Sequence, residues 1–243
     1  MEKINCIVET YKTALIFMNE GVERAYMEDF SAIESEEKLK ERICKTVERL
    51  FNRGLISALG GNVSARIPGA NEFWITPSGV FKGELKPKDL VKVDLDGNVV
   101  KGSLKPSIET PFHAVIYRKR ADVNAIVHSH NPIATGLALA GMQIQPITIE
   151  AVAILGDIKI VPWAIPGTKT LANLVGKHVE NAKVLVLMNH GVVGVGSDLL
   201  EAEAVVETLE EIATIQFVAR IFKDKIPLIS REDIELIKKM HGT

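Results

Sequence analysis

Three histidines and a glutamate are the side chains whose types and spacing can do chemistry: His128, His130, His190 and Glu109. His128 and His130 close the run ADVNAIVHSH, which has the apolar continuity of a buried strand. Alternate side chains of a strand share a face, so the two imidazoles point the same way with Cα atoms about 6.5–7 Å apart. Two ring nitrogens at that spacing can converge on one ion with bonds of about 2.0–2.1 Å. By itself a His-x-His strand fits surface or hydrogen-bonded histidines equally well. His190 follows the apolar run VLVLM and precedes Gly191, a tight turn at a strand end from which a side chain can enter a cleft. Three imidazoles and one open position are the ligand set of a catalytic metal, and neutral ligands leave the cation its full charge for Lewis-acid work.

Glu109 lies in KPSIETPFH, where Pro106 sets the chain's entry and Ser107 and Thr110 supply hydroxyls. An acid at a helix start is commonly a solvated first-turn residue. Here it is also placed to be a fourth metal ligand, or a base once substrate displaces it. The turns GGN (60–62) and TPSG (76–79) offer backbone N–H groups, an amide and hydroxyls suited to a phosphate oxyanion. His113 reads as a packing or hydrogen-bonded residue, and His178 and His241 as surface residues.

These groups must be positioned by a framework, and the chain predicts one. A helix is expected over 3–28, then a boundary near 35 that separates an N-terminal extension (1–35) from a main domain (36–243). A second helix over about 36–53 ends at Arg53-Gly54. The turn GGN leads into a short strand, and FWITPSG is a strand ending in a turn. LVKVDLDGNVV is a hairpin around Asp-Gly. A helix is expected over 108–120, a buried strand at ADVNAIVHSH, and a short helix over 131–141. GDIKIVPW reads as a strand, LANLVGKHVE as a helix, and KVLVLMNHGVVGVG as two strands around a turn. A long amphipathic helix over 198–222 and a short one over 230–240 follow. The pattern is α/β: a mostly antiparallel sheet with helices packed around it.

Composition narrows the function. The 243 residues carry 29 basic and 31 acidic side chains, a net charge of −2, without the basic surplus that nucleic-acid binding needs. Apolar residues are 47% and charged residues 25%, ordinary for a globular chain and unlike a disordered one. Aromatics are only 5%, so Val, Ile, Leu and Ala must build the core. No apolar run approaches the roughly 20 residues of a membrane helix. MEKINCIVET lacks a signal-peptide layout, and Cys6 and Cys44 form no CxxC, which together imply a cytoplasmic protein with reduced thiols.

A cupin also uses His-x-His, a glutamate and a later histidine, but there the acid follows the pair closely. Here NPIATGLALAG follows His130, and Glu109 precedes His128 by 19 residues. The long helices also exclude a barrel.

The six motifs GGNVSAR, ITPSG, KPSIETPFH, VHSH, VPWAIPGT and MNHGVVGVG occur in that order. Through them the chain resembles the class II aldolase/adducin-head family, from about residue 38 to about 236. The resemblance implies an α/β fold, a central, mainly antiparallel sheet flanked by helices in three layers. It also implies a homotetramer with active sites at subunit interfaces. His128, His130 and His190 match the family's zinc-binding histidines. Glu109 matches the glutamate that ligates the resting metal and then shuttles protons. Asn62, Ser78, Gly79 and Ser107 match positions that hold the substrate phosphate. The implied reaction is retro-aldol cleavage of a ketose 1-phosphate, of the L-fuculose 1-phosphate kind, to dihydroxyacetone phosphate and an aldehyde through a metal-stabilised enediolate. The ligand set suits Zn²⁺, and also Mn²⁺, Co²⁺ or Fe²⁺.

The chain departs from the pattern in three places, one of them the expected lack of a counterpart to the family's C-terminal tyrosine over the site. Ile108 stands where the family aldolase has a second serine. Glu150, in QPITIEAV, is the nearest candidate for the proton-transfer role of a tyrosine from a neighbouring subunit. Methylthioribulose-1-phosphate dehydratases, ribulose-phosphate 4-epimerases and decarboxylases use the same metal site, and the epimerases carry an aspartate in the Glu109 region. Adducin heads keep the fold as a non-catalytic scaffold, which has no need of all four groups.

Overall fold

The computed structural model describes residues 36–223 and 225–241. The expected helix over 3–28, the extension 1–35 and Cys6 lie outside the described residues. Helix α1 (Glu36–Asn52) buries Leu39, Ile43, Val47 and Leu50, positions spaced three and four apart that form one face. It ends as expected: Gly54 N–H donates to Phe51 C=O at 3.0 Å and Leu55 N–H to Leu50 C=O at 2.9 Å, the paired bonds of a Schellman stop.

Four strands follow: β1 (Asn62–Ala65), β2 (Glu72–Ile75), β3 (Val91–Asp94) and β4 (Val99–Lys101). Helix α2 (Thr110–Lys119), β5 (Ala125–Ser129), α3 (Pro132–Leu139) and α4 (Ile149–Leu155) come next. The remainder is β6 (Ile158–Val161), α5 (Lys169–His178), β7 (Val184–Leu187), β8 (Gly191–Gly196), α6 (Leu199–Phe222) and α7 (Arg231–His241). The strands form one sheet of eight in the order β4-β3-β2-β1-β5-β8-β7-β6. Every pairing is antiparallel except β6 with β7.

The sheet's alternation divides the apolar residues between two faces. Val63, Val127, Val186 and Val192 meet α1, α3, α4 and α6 on one face. Phe73, Ile126, Leu185 and Val193 meet α2 and α5 on the other. These are the three layers, and both faces are dry, which is why β5, β7 and β8 read as unbroken apolar runs.

Three details differ from the sequence reading. Helix α4 was not expected; Thr148 caps it by accepting from Ala151 N–H at 3.2 Å and Gly156 ends it, so its seven residues are too few to show a period. His178 is half-buried, its Nδ1 bonded to Leu174 C=O at 2.7 Å, rather than a surface residue. Helix α6 is apolar on both sides near its end, where Phe217, Val218, Ile221 and Phe222 are exposed. Cys44 is a free thiol that burial pushes up to about 12, a packing residue rather than a nucleophile.

Candidate active site

The site lies where β5 ends beside the β7–β8 turn. His128 is the fourth residue of β5, opposite Val193 of β8 on one side and Asn62 of β1 on the other. Its Nδ1 faces Val192 C=O at 2.9 Å. A carbonyl only accepts, so Nδ1 carries the proton and Nε2 offers the lone pair of the neutral ring. His130 stands just beyond β5, its backbone N–H donating to Leu55 C=O at 2.7 Å. His190 projects from the turn of residues 188–190, in which Asn189 adopts φ 58°. The hairpin turn read from the sequence is therefore the feature that delivers the third imidazole.

The three rings converge. Their centroids are 5.0 Å apart for His128–His130, 4.7 Å for His128–His190 and 5.6 Å for His130–His190. One ligand atom from each lies within 4.8 Å of the other two. Glu109, the N-cap residue of α2, sets its carboxylate against the group: Oε2 is 3.1 Å from His128 Nε2, and Oε1 is 3.3 Å from His190 Nε2. Among the described residues His128 Nε2, His190 Nδ1 and Glu109 Oε1 are buried without a hydrogen-bond partner. Buried polar atoms are nearly always paired, so His128 Nε2 and Glu109 Oε1, left without partners beside three converging imidazoles, mark a place for a cation. The residues fit a divalent cation.

The electrostatics agree for His130 and His190, and for His128 they reflect the facing carboxylate. Burial pushes His130 and His190 down to about 4, which leaves both rings neutral and their lone pairs free at pH 7. Burial opposes the charged form of Glu109, but the His128 and His190 rings and the Asn62 amide outweigh it and hold the carboxyl well below the usual range. Burial likewise opposes charge on His128, and the facing Glu109 carboxylate reverses the shift upward.

Glycine makes the cluster possible at two points. A Cβ on Gly60 would lie 2.6 Å from His130 Cε1, and one on Gly191 would lie 2.4 Å from Ser129 C=O and 3.0 Å from His130 Cδ2. Each is a close approach that no larger residue permits.

The residues matched to phosphate binding separate into two groups. Ser78, Gly79 and Ser107 sit together, where the TPSG turn is zipped to the segment before α2. Ser78 N–H donates to Lys105 C=O at 3.0 Å, Ser107 N–H to Thr76 C=O at 3.2 Å, and Ile108 N–H to Ser78 Oγ at 3.2 Å. Ser107 Oγ accepts from Glu109 N–H at 3.2 Å. Asn62 instead turns its side chain to the carboxylate, Nδ2 donating to Glu109 Oε2 at 2.8 Å. Glu150 lies exposed in the first turn of α4, and among the described residues no hydrogen bond or ion pair joins it to the histidines.

The sequence reading passed over Lys82. It is buried, its Nζ donates to Pro77 C=O of the TPSG turn at 2.6 Å, and burial pushes it down to about 8. A charged residue three positions past a glycine turn carries no periodic signal to mark it.

A sheet covered on both faces, with three converging histidines and an acid at one strand end, defines a class. Residues 41–217 match the model of the class II aldolase and adducin N-terminal domain, and the chain belongs to that family. The family is metal-dependent, which agrees with the histidine group. Within it the chain stands with the sugar-phosphate lyases. It is similar to L-fuculose phosphate aldolase of Methanocaldococcus jannaschii, 39% identical over 184 residues that cover 76% of this chain and 98% of that one. It is also similar to 3-oxo-tetronate 4-phosphate decarboxylase of Escherichia coli strain K12, 34% identical over 197 residues, 79% of this chain and 91% of that one. A solved L-fuculose 1-phosphate aldolase superposes with a TM-score of 0.79 at 32% identity, covering 84% of this chain and 96% of that one. Among the described residues no helix is long and apolar enough to cross a membrane.

Proposed function

We propose that the protein is a cytoplasmic, metal-dependent aldolase cleaving a ketose 1-phosphate of the L-fuculose 1-phosphate type into dihydroxyacetone phosphate and an aldehyde. One observation carries the reading: the ionised Glu109 carboxylate is set 3.1 and 3.3 Å from two of the three converging histidines. Zn²⁺ held by His128, His130 and His190, with Mn²⁺, Co²⁺ and Fe²⁺ as alternatives, would supply Lewis-acid stabilisation of negative charge on the substrate oxygens.

Glu109 carries the proton. In the condensation direction its carboxylate takes a proton from the carbon that becomes C3. In cleavage the C4 hydroxyl gives its proton to the second acid/base, the C3–C4 bond breaks, the electron pair stays on C3, and Glu109, having taken up a proton from solvent, delivers it there. Asn62 holds Oε2 and so leaves Oε1 facing the site. Ser78, Gly79 and Ser107 make the phosphate end, with the Lys82 charge against the same turn. Glu150 is assigned the C4 hydroxyl proton, from a neighbouring subunit of a homotetramer. Exposed Phe217, Val218, Ile221 and Phe222 on α6 support such an assembly. Residues 1–35 are read as an extension preceding the family domain.

The decarboxylase relative supports a second reading, because loss of CO₂ from a 3-oxo acid also leaves an electron pair for Glu109 to protonate. The deciding assay offers the zinc-loaded protein L-fuculose 1-phosphate, L-ribulose 5-phosphate, methylthioribulose 1-phosphate and 3-oxo-tetronate 4-phosphate in parallel. Dihydroxyacetone phosphate is expected from the first. Glu109→Gln is expected to keep the metal and lose about 10²–10⁴ in turnover. Fastest release of CO₂, or of an epimer or dehydrated product, would replace the aldolase assignment.

A further inference from the structure

Behind Glu109 a line of polar side chains runs into the core between β1 and α2. Asn62 Oδ1 is 2.6 Å from His113 Nε2, His113 Nδ1 is 2.7 Å from Ser64 Oγ, and Ser64 Oγ is 2.8 Å from the Tyr117 hydroxyl. All four residues are buried, Ser64 and His113 completely. The His113 ring stacks on Phe112 at 4.6 Å, and the Arg66 guanidinium lies 4.7 Å over the Tyr117 ring.

The direction of every bond follows from its first member. An ionised carboxylate only accepts, so Asn62 must present its NH₂ to Glu109 and its carbonyl oxygen to His113. His113 must then carry its proton on Nε2, which leaves Nδ1 an acceptor. Ser64 must donate to Nδ1 and in turn accept from Tyr117. Burial pushes His113 down to about 3, which keeps the ring neutral, the only state with one donor and one acceptor.

We propose that Tyr117, Ser64, His113 and Asn62 form one directed hydrogen-bond relay that locks the Glu109 carboxylate in orientation, which makes His113 a positioning residue of the reaction. The proposal rests on the reading of Glu109 as the proton carrier. A buried polar network costs stability unless each member is satisfied, and an apolar core would cover α2 as well. What the relay adds is asymmetry. Reversal of one link turns Asn62 Oδ1 toward the carboxylate and sets two acceptors at the 2.8 Å now spanned by a hydrogen bond. That reversal would require His113 to change tautomer and the Ser64 hydroxyl to turn at the same moment, so the line opposes it as a unit, with Tyr117 at its end.

The test uses the full metal-loaded chain with His113→Phe, His113→Gln, Ser64→Ala and Tyr117→Phe. His113→Phe is expected to lower kcat about 10–100-fold, the usual loss on removing a group that orients a ligand residue, at unchanged KM and unchanged bound metal. His113→Gln, whose amide N–H can reach Asn62, recovers most of it. Ser64→Ala costs roughly fivefold, the worth of one neutral hydrogen bond, and Tyr117→Phe less. A role in packing alone would make kcat follow the unfolding midpoint instead.

A second readout needs no turnover. Imidazole ¹⁵N spectra of histidine-labelled protein should show His113 as the Nε2–H tautomer, and Ser64→Ala should admit the other. If His113→Phe does not fold, Ser64→Ala and Tyr117→Phe decide. A Nδ1–H tautomer in the parent protein, or full kcat in all folded relay variants while Glu109→Gln is inactive, overturns the relay alone. An active Glu109→Gln overturns the reading of Glu109, and the ¹⁵N spectra still judge the geometry.

Discussion

The two walls of the site are built on different principles. The histidine wall is held by backbone. His128 is fixed within the β5 ladder, His130 through its own N–H, and His190 by a hairpin turn, and Gly60 and Gly191 bring the chain against the His130 ring. The carboxylate wall is held by side chains: Glu109 is only the cap of α2, and its orientation depends on Asn62 and the residues behind it. A group that never moves can be set by a ladder. A group with the proton-carrying role proposed for Glu109 must change partners, and side-chain hydrogen bonds let it do so without disturbing the sheet.

The sharpest way to break the contrast is to remove a ligand from the rigid wall. His130→Ala should abolish stable metal binding and lower turnover by about 10³, several kcal/mol of lost charge stabilisation, with little change in fold. Metal content and circular dichroism check this, and a fully loaded variant would show that two histidines suffice.

Next comes the backbone itself. Gly191→Ala would place a Cβ 2.4 Å from Ser129 C=O, an atom of the neighbouring strand that cannot swing away. It should cost about 1–3 kcal/mol in urea unfolding. Metal affinity should fall about tenfold because His130 shifts with the strand.

Acid should find the other wall. His113 titrates near 3 in the folded chain against an ordinary 6.5. Between those values the unfolded chain binds a proton that the folded chain excludes. The contribution is therefore complete above pH 6.5 and lost as the pH falls toward 3. Metal-free protein should lose about 2 kcal/mol from this group between pH 7 and 5, at 1.36 kcal/mol per unit. Replacing His113 by Phe should flatten that part of the curve; an unchanged slope would assign it elsewhere.

The smallest change tests the phosphate end. Ile108 is 65% exposed and its backbone N–H already bonds Ser78, so Ile108→Ser adds a hydroxyl without a cavity. It should lower KM for a sugar phosphate by roughly fivefold, one added hydrogen bond, at unchanged kcat.

Much of this was legible along the chain. Unbroken apolar runs marked β5, β7 and β8, the Asp-Gly hairpin marked β3 and β4, and His190 before Gly191 marked the turn that delivers the third imidazole. Even the relay left a trace, since Glu109, His113 and Tyr117 recur every fourth residue, as one helix stripe does, and Asn62 and Ser64 every second, as one strand face does. His113 was accordingly read as hydrogen-bonded, but its partners were not named. Helix α4 was too short to show a period, and Lys82 had none.

Local repulsion and hydrogen-bonding preferences act over a few residues, and that is the range over which order along the chain decides structure: which segments are helix or strand, and which side of each is polar. Pairing across the sheet is a different kind of fact. The register that sets Asn62 opposite His128, and the docking of α2 that turns the Glu109 stripe toward β1, join residues 47 to 66 positions apart. Those contacts are chosen by burial of the whole apolar set at once. The histidines could therefore be named as candidate ligands before the fold was seen, whereas what holds Glu109 became visible only when strand and helix were face to face.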